Sequence, residues 1–328
     1  MRKKLKSSKP ALSPMRRIVS HLVFRRILVP LDFSGQSRQA LSCAVPLARK
    51  YGARISLVHV VQPPVIIQST PGGGIAVPVD TTKLIIGARI HLEQLAQLLL
   101  PDSLRGEIMV CEGNPAHEVV TAAAQLRADL IVLSTIGRSG LKRVLLGSTA
   151  ERILRHAHCP VLTVRRQPDE SAQRLLAVEK PLYSDRLPWR SMLVPLDFSQ
   201  LSTRALRAAV ILARQSGARL LLLNVIEPNP YPSGMDGAVL VMPDFKVAQK
   251  SKRELVKLAQ RLVPRSRRVT TLVARGRPSD VIVATAEERR ADLIVLSTHG
   301  HTGLDRLLMG SVAELVIRHA RCPVLVLR

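Results

Sequence analysis

A chain of 328 residues has room for about two domains of roughly 150 residues, each large enough to bury a core of its own. The residues are 46% apolar but only 2% aromatic, so the cores must be aliphatic, and no apolar run nears the roughly 18 residues that span a bilayer, which predicts a soluble protein. The formal net charge of +25 attracts polyanions in general (nucleic acid, anionic membrane, nucleotides) without choosing among them.

The first 26 residues hold nine Lys or Arg and no acid, and they lack the apolar core of a secretory signal. Residues 1–25 therefore read as a disordered basic tail, with an organelle transit peptide as the alternative. Beyond the tail, strand-length apolar runs alternate with amphipathic stretches. Strands are expected near 26–31, 55–61, 107–111, 129–134 and 161–165, and helices near 36–50, 82–100, 115–127 and 148–157. Gly72-Gly-Gly74 falls in a Pro-rich loop that reads as a flexible lid.

The pattern then repeats. Arg26-Ile-Leu-Val-Pro-Leu-Asp-Phe-Ser34 returns as Ser191-Met-Leu-Val-Pro-Leu-Asp-Phe-Ser199, and Ala128-Asp-Leu-Ile-Val-Leu-Ser-Thr135 as Ala291-Asp-Leu-Ile-Val-Leu-Ser-Thr298. Cys159-Pro-Val-Leu162 returns as Cys322-Pro-Val-Leu325. The offset is 165 residues early and 163 later, so a whole domain is duplicated. Second-copy strands are expected near 191–196, 219–226, 269–274, 292–297 and 323–327, with helices near 202–216, 245–263, 278–289 and 311–320. The organisation expected is a tail (1–25), a first domain (26–166), a polar linker (167–189) and a second domain (190–328).

Alternating strands and helices predict parallel sheets, and continuous Val/Ile/Leu strands such as Leu130–Leu133 predict burial on both faces. The fold class is α/β: two tandem doubly wound, Rossmann-like domains, each a five-stranded parallel sheet in a three-layer α/β/α sandwich. The final apolar strands, Val161–Val164 and Val324–Leu327, would expose unpaired edges. Antiparallel pairing of the two about a pseudo-two-fold axis satisfies both and predicts an intramolecular pseudo-dimer; homodimerisation of the chain is left open.

The fourth strand of each copy runs into a glycine-punctuated loop: Ser134-Thr-Ile-Gly137-Arg138-Ser-Gly140-Leu-Lys142, ending at Gly147-Ser148-Thr149, and Ser297-Thr-His-Gly300-His301-Thr-Gly303-Leu-Asp305, ending at Gly310-Ser311-Val312. Glycine lets backbone N–H groups approach an anion, and Gly-Ser then opens a helix whose N-terminal amides attract negative charge. The competing explanation is a capping box, S-x-x-E, at Ser148/Glu151 and Ser311/Glu314. Asp32 and Asp197 end the first strand of each copy, where they either touch a ligand or form an Asx-type cap for the next helix.

These residues resemble the universal stress protein family over nearly all of the chain from about residue 25. Gly137-x9-Gly147-Ser148 and Gly300-x9-Gly310-Ser311 are similar to the end of the family's ATP-binding motif, with Ser134 and Ser297 standing where its first glycine lies. Pro30-Leu-Asp32 and Pro195-Leu-Asp197 resemble its first-strand motif, whose Asp lies by the nucleotide. Val60 and Val225 match the position whose backbone reads adenine, and Gly113–Pro115 and Gly276–Pro278 also fit. The resemblance implies ATP as ligand, with Mg2+ left open, at two tandem pockets.

Arg138 and Lys142 would neutralise phosphates in the first pocket, whereas His301 and Asp305 make the second weaker for polyphosphate. No G-x-x-x-x-G-K-[ST] occurs, and no triad or carboxylate pair is traceable, so at most slow ATP hydrolysis is expected. His156, His158 and Cys159 have loosely metal-like spacing, but the second copy keeps only His319 and Cys322, so helix C-terminal charge explains them better than a metal. Cys43, Cys111, Cys159 and Cys322 form no C-x-x-C pair and suit a reducing cytoplasm. The function expected is a nucleotide-binding, cytoplasmic stress-response regulator. The rival is an interaction module with empty pockets that contacts proteins or, non-specifically, nucleic acid through its basic surface.

Overall fold

The structure, a computed structural model, describes residues 22–63, 66–70, 73–77, 80–135, 146–165, 187, 189–228, 231–232, 239–240, 245–264, 268–298 and 309–327. The first half runs β1 (Arg26–Pro30), α1 (Gly35–Tyr51), β2 (Arg54–Val61), β3 (Ile66–Thr70), β4 (Gly73–Val77), α2 (Thr82–Leu99), β5 (Arg105–Glu112), α3 (Pro115–Gln125), β6 (Leu130–Ser134), α4 (Ser148–His156) and β7 (Val161–Val164). The second half runs β8 (Ser191–Pro195), α5 (Gln200–Ser216), β9 (Arg219–Ile226), β10 (Tyr231–Pro232), β11 (Val239–Leu240), α6 (Phe245–Leu262), β12 (Val269–Arg275), α7 (Pro278–Glu288), β13 (Leu293–Ser297), α8 (Ser311–His319) and β14 (Val324–Leu327).

The ten longer strands expected from the two copies form one continuous sheet in the order β12-β9-β8-β13-β14-β7-β6-β1-β2-β5. Every neighbouring pair is parallel except β14 and β7, which meet antiparallel at the centre. Their register pairs Val161 with Val326, Leu162 with Leu325, and Thr163 with Val324. Leu162 and Leu325 are each other's repeat equivalents, so a pseudo-two-fold axis passes between them. The buried Thr163 hydroxyl donates to the Val324 carbonyl at 3.2 Å. On one side of the sheet the Tyr51 hydroxyl donates to Gln215, joining the ends of α1 and α5. On the other side Arg155 of α4 lies 3.7 Å from Glu314 of α8.

Two apolar layers cover the sheet, and each runs through both halves. Leu41 of α1, Leu92 of α2, Leu206 of α5 and Leu255 of α6 belong to one. Val119 of α3, Ile153 of α4, Ile282 of α7 and Val316 of α8 belong to the other. The strands between are apolar on both faces because both faces are covered; Leu130, Ile131 and Val132 are completely buried. A repeated carboxylate sets the sheet edge: Asp129 accepts from the backbone N–H groups of Arg25 and Arg26 at 2.9 and 3.0 Å. Asp292 does the same for Arg190 and Ser191 at 2.8 and 2.9 Å.

Several expectations are corrected. Leu22 and Phe24, assigned to the tail, are core residues, and Leu187 and Trp189, assigned to the linker, fill the equivalent places 165 residues on. Charge-based reading of these segments overlooked an alternating apolar pair that covers the end of each half's sheet. The loop around Gly72–Gly74, read as a flexible lid, contains a hairpin: β3 pairs antiparallel with β4, Thr70 opposite Gly73. A shorter antiparallel pair, β10 with β11, occupies the corresponding stretch of the second half. Among the described residues no helix is long and apolar enough to cross a membrane.

Burial pushes the Cys43 thiol up to about 11 and those of Cys159 and Cys322 to about 12, from an ordinary 9.0. A folded state that holds these protons more tightly is stabilised in full below pH 9, and that contribution is lost as pH rises through 11 to 12. Denaturant unfolding should accordingly show stability falling above about pH 9, and replacing the three thiols by alanine should flatten the fall; an unchanged slope would contradict the assignment. At the pseudo-two-fold axis, Leu325→Ala should cost about 3 kcal/mol of unfolding free energy. Leu325→Asp should separate the halves and raise the apparent mass on size-exclusion chromatography as freed edges associate. A monomeric, equally stable Leu325→Asp protein would show that the pairing does not hold the halves together.

Candidate functional site

In each half the chain lays three strands to one side of its start, β1-β2-β5, and then two to the other, β6-β7. The direction reverses between β1 and β6, and a doubly wound sheet opens a crevice at the carboxyl ends there. A cleft of about 790 Å³ occupies that place in the first half, lined by Pro30, Asp32, Val60, Gly147, Ser148 and Thr149 among others. The equivalent cleft in the second half, about 420 Å³, is lined by Pro195, Asp197, Val225, Gly310, Ser311 and Val312. Of the residues singled out from sequence, Gly137, Arg138, Gly140, Lys142, Gly300, His301, Gly303 and Asp305 lie outside the described residues.

The start of α4 differs from the capping box that competed with anion binding as an explanation of its sequence. Gly147 is the N-cap, with φ −62° and ψ 139°, and Ser148 is already the first helical residue. The Ser148 hydroxyl is therefore one position too late to cap, and Glu151 turns away to Arg155, at 2.7 Å. The Gly147 N–H is not available to a ligand either, since it donates to the Thr135 carbonyl at 2.9 Å. The first intrahelical bond is Glu151 N–H to Gly147 O, 2.9 Å. Ser148, Thr149 and Ala150, all lining the cleft, thus carry the amides that a helix start leaves without an intrahelical partner. In α8 the arrangement recurs: Gly310 donates to Thr298 O at 2.7 Å, and Glu314 closes on Gly310 O at 3.0 Å. By contrast α1, α3 and α5 are capped by the side chains of Ser34, Asn114 and Ser199, while α2 and α7 also start without a side-chain cap.

Across the cleft, Asp32 accepts at Oδ1 from the Ser34 N–H (3.0 Å) and the Ser34 hydroxyl (2.6 Å). Asp197 accepts from the Ser199 N–H at 3.0 Å. The Asx-type turn is therefore present in both halves, and the residue inside it is forced left-handed: Phe33 and Phe198 both have φ 64°. For a residue with a bulky side chain this conformation costs about 1–2 kcal/mol, and strain of this kind concentrates at sites where geometry matters.

That turn sets Phe33 between two imidazoles, with ring centroids 4.3 Å from His59 and 4.3 Å from His91. His59 Nδ1 lies 2.7 Å from the Leu31 carbonyl; because a carbonyl only accepts, Nδ1 carries the proton. Lys83, Gly87 and His91 bring α2 to the cleft mouth. In the second half Asn224 stands at the place of His59 and donates to the Leu196 carbonyl at 2.7 Å. Glu227 stands at the place of Gln62, and no residue of α6 lines that cleft. None of Phe33, His59, Lys83 or His91 was singled out from sequence. A signal existed, because His59 and Asn224 are polar residues at the same repeat position, each between apolar neighbours near the carboxyl end of its strand. His156 and His158 are exposed while Cys159 is buried, so the metal-like spacing does not gather one site.

Comparison with known proteins bears on the fold and the family. The Universal stress protein family profile matches twice, over residues 24–165 and 188–328. A universal stress protein of Mycolicibacterium smegmatis is 30% identical over 317 residues, covering 92% of this chain and 96% of that protein. One from Methanocaldococcus jannaschii is 31% identical over 154 residues, 45% of this chain and 86% of its own length. The crystal structure of a universal stress protein from Archaeoglobus fulgidus has the same fold, with a TM-score of 0.64 at 22% identity, over 94% of this chain and 98% of that one. The chain belongs to the universal stress protein family, with two copies of the family's domain in tandem.

Proposed function

We propose that the first cleft binds an adenine nucleotide, ATP, with its phosphates on the start of α4, and that the chain is a nucleotide-binding stress-response regulator. One observation carries this reading. The helix start at Gly147 has no side-chain cap, and its amides at Ser148, Thr149 and Ala150 line the cleft. Such a terminus attracts anions through its N–H groups and its dipole. The cleft is also of ligand size, and Lys83 adds a cation at its mouth. Pro30, Asp32 and Val60, which resemble the family's nucleotide-side positions, line the cleft, and Arg138 and Lys142 belong to the sequence segment that leads to Gly147.

The second cleft supports a weaker polyphosphate site. It is smaller, Glu227 replaces Gln62, and Asp305 stands in the loop at the place of Lys142. The sequence contains no G-x-x-x-x-G-K-[ST] loop, and the reading asks for no more than slow hydrolysis. Purified protein that releases no nucleotide and binds none would favour an interaction module with empty clefts.

Two substitutions test the reading. A Cβ at Gly147 would meet the Thr135 carbonyl at 3.4 Å, an ordinary contact, so the helix should tolerate a side chain there. Gly147→Val should nevertheless crowd the phosphates and weaken ATP binding at the first cleft at least tenfold, about 1.4 kcal/mol, by titration calorimetry. Unchanged affinity would sink the phosphate assignment. Asp32→Asn keeps the acceptor of the Asx turn and should leave stability nearly unchanged, whereas Asp32→Ala should cost about 1 kcal/mol in denaturant unfolding. Equal losses in both would mean that the carboxylate charge, rather than the turn, is what the fold requires.

A further inference from the structure

The helices α2 and α6 are repeat equivalents, yet the outward face of α6 carries a row of cations of which α2 has only the first. On α6, Lys246, Lys250, Arg253, Lys257 and Arg261 are all exposed. Their spacing of four, three, four and four residues confines them to an arc of about 80° and strings them over about 22 Å of helix. None of the five forms an ion pair among the described residues. The helix has one acid, Glu254, beside the stripe, and a sixth cation, Lys252, on its flank. The same positions on α2, 163 residues earlier, read Lys83, Gly87, Ile90, Gln94 and Leu98. Packing does not account for the difference, because all ten positions face solvent.

Holding five like charges in one row is unfavourable without an anion to meet them, and the row has the dimensions of a polyanion rather than of a single ion. We propose that this stripe of α6 is a docking surface for the phosphodiester backbone of nucleic acid. One strand presents a phosphate for about every 3.4 Å of its axis, so the row faces roughly six phosphates. A membrane surface fits less well: an interfacial helix must lay its apolar face in the bilayer, whereas Leu255 and Leu258 of α6 are buried in the core, and the exposed Phe245, Val247 and Val256 lie outside the arc of the stripe. An acidic protein fits less well too, because protein interfaces are built on apolar anchors and are depleted in lysine. All five side chains are cations that can pair with phosphate, and phosphate contacts carry no sequence information, so the contact expected is independent of sequence.

The surface is separate from the clefts, since no residue of α6 lines the second cleft. The test is fluorescence polarisation of the full chain with a labelled 30-base-pair duplex, between 50 and 200 mM salt. Five phosphate contacts should weaken binding about 500-fold over that range. The triple variant Lys250→Gln, Arg253→Gln, Lys257→Gln should lower the log–log salt slope by about 2.7 and leave ATP affinity unchanged. Lys3→Gln, Lys4→Gln, Lys6→Gln removes the same charge from the N-terminal segment and should change the slope by less. An unchanged slope in the α6 variant overturns the proposal, as does an equal fall in both variants, which would reflect net charge alone. Loss of binding to phosphatidylserine vesicles with DNA affinity intact overturns it in favour of a membrane.

Discussion

The antiparallel contact between β7 and β14 is the constraint on which the molecule depends. Each half ends in a short apolar strand whose outer edge would otherwise present unpaired backbone and invite association. Placing the two edges against each other turns two five-stranded sheets into one of ten strands and leaves no free edge at the centre. The same contact joins the apolar layers on both sides, so Leu162 and Leu325 pack in one core and Val161 and Val324 in the other. Duplication made this possible within a single chain: a pairing symmetric about Leu162 and Leu325 is an isologous interface with its two partners covalently linked.

The pairing also decides where chemistry can sit. The centre of the sheet is closed, and each half keeps a crevice where its strand order reverses, flanked by a helix that begins at a glycine. The backbone of that arrangement is the same in both halves, down to the left-handed Phe33 and Phe198. What has diverged is the side chains around it. His59 and His91 enclose Phe33 in the first cleft, whereas Asn224 and Glu227 give the second a smaller and more acidic surround. The outer faces of α2 and α6 have separated in the same way, one mixed and one strongly basic. A duplicated scaffold that is held rigid by its core leaves its crevices and outer helices free to specialise.

Much of this was legible in the sequence because the copies check each other. Asp32 and Asp197 recur with their strands, and strand positions follow from apolar runs too regular to be accidental. The hairpins were not legible: Ile66–Thr70 and Gly73–Val77 flank a Pro-Gly step, and the punctuation drew attention from the short strands around it. The capping box could not be decided against from sequence, because S-x-x-E states which residues are present but not which of them is helical. One position of shift, set by Gly147 in an extended conformation, converts a capped helix into an open one. Leu22, Phe24, Leu187 and Trp189 were hidden beside basic and polar stretches, although their spacing repeats. The aromatic stack at Phe33 depends on three segments meeting in space, and no local pattern announces it.

The account rests on the amides at the start of α4 being the anion site. The most direct measurement is a 1H–15N correlation spectrum of the labelled protein titrated with ATP. The amides of Ser148, Thr149 and Ala150 should move together and saturate with the nucleotide, and those of Ser311, Val312 and Ala313 should follow at higher concentration. If the nucleotide binds while these six amides stay in place, with the shifts confined to α6 or to other surfaces, the central claim is wrong.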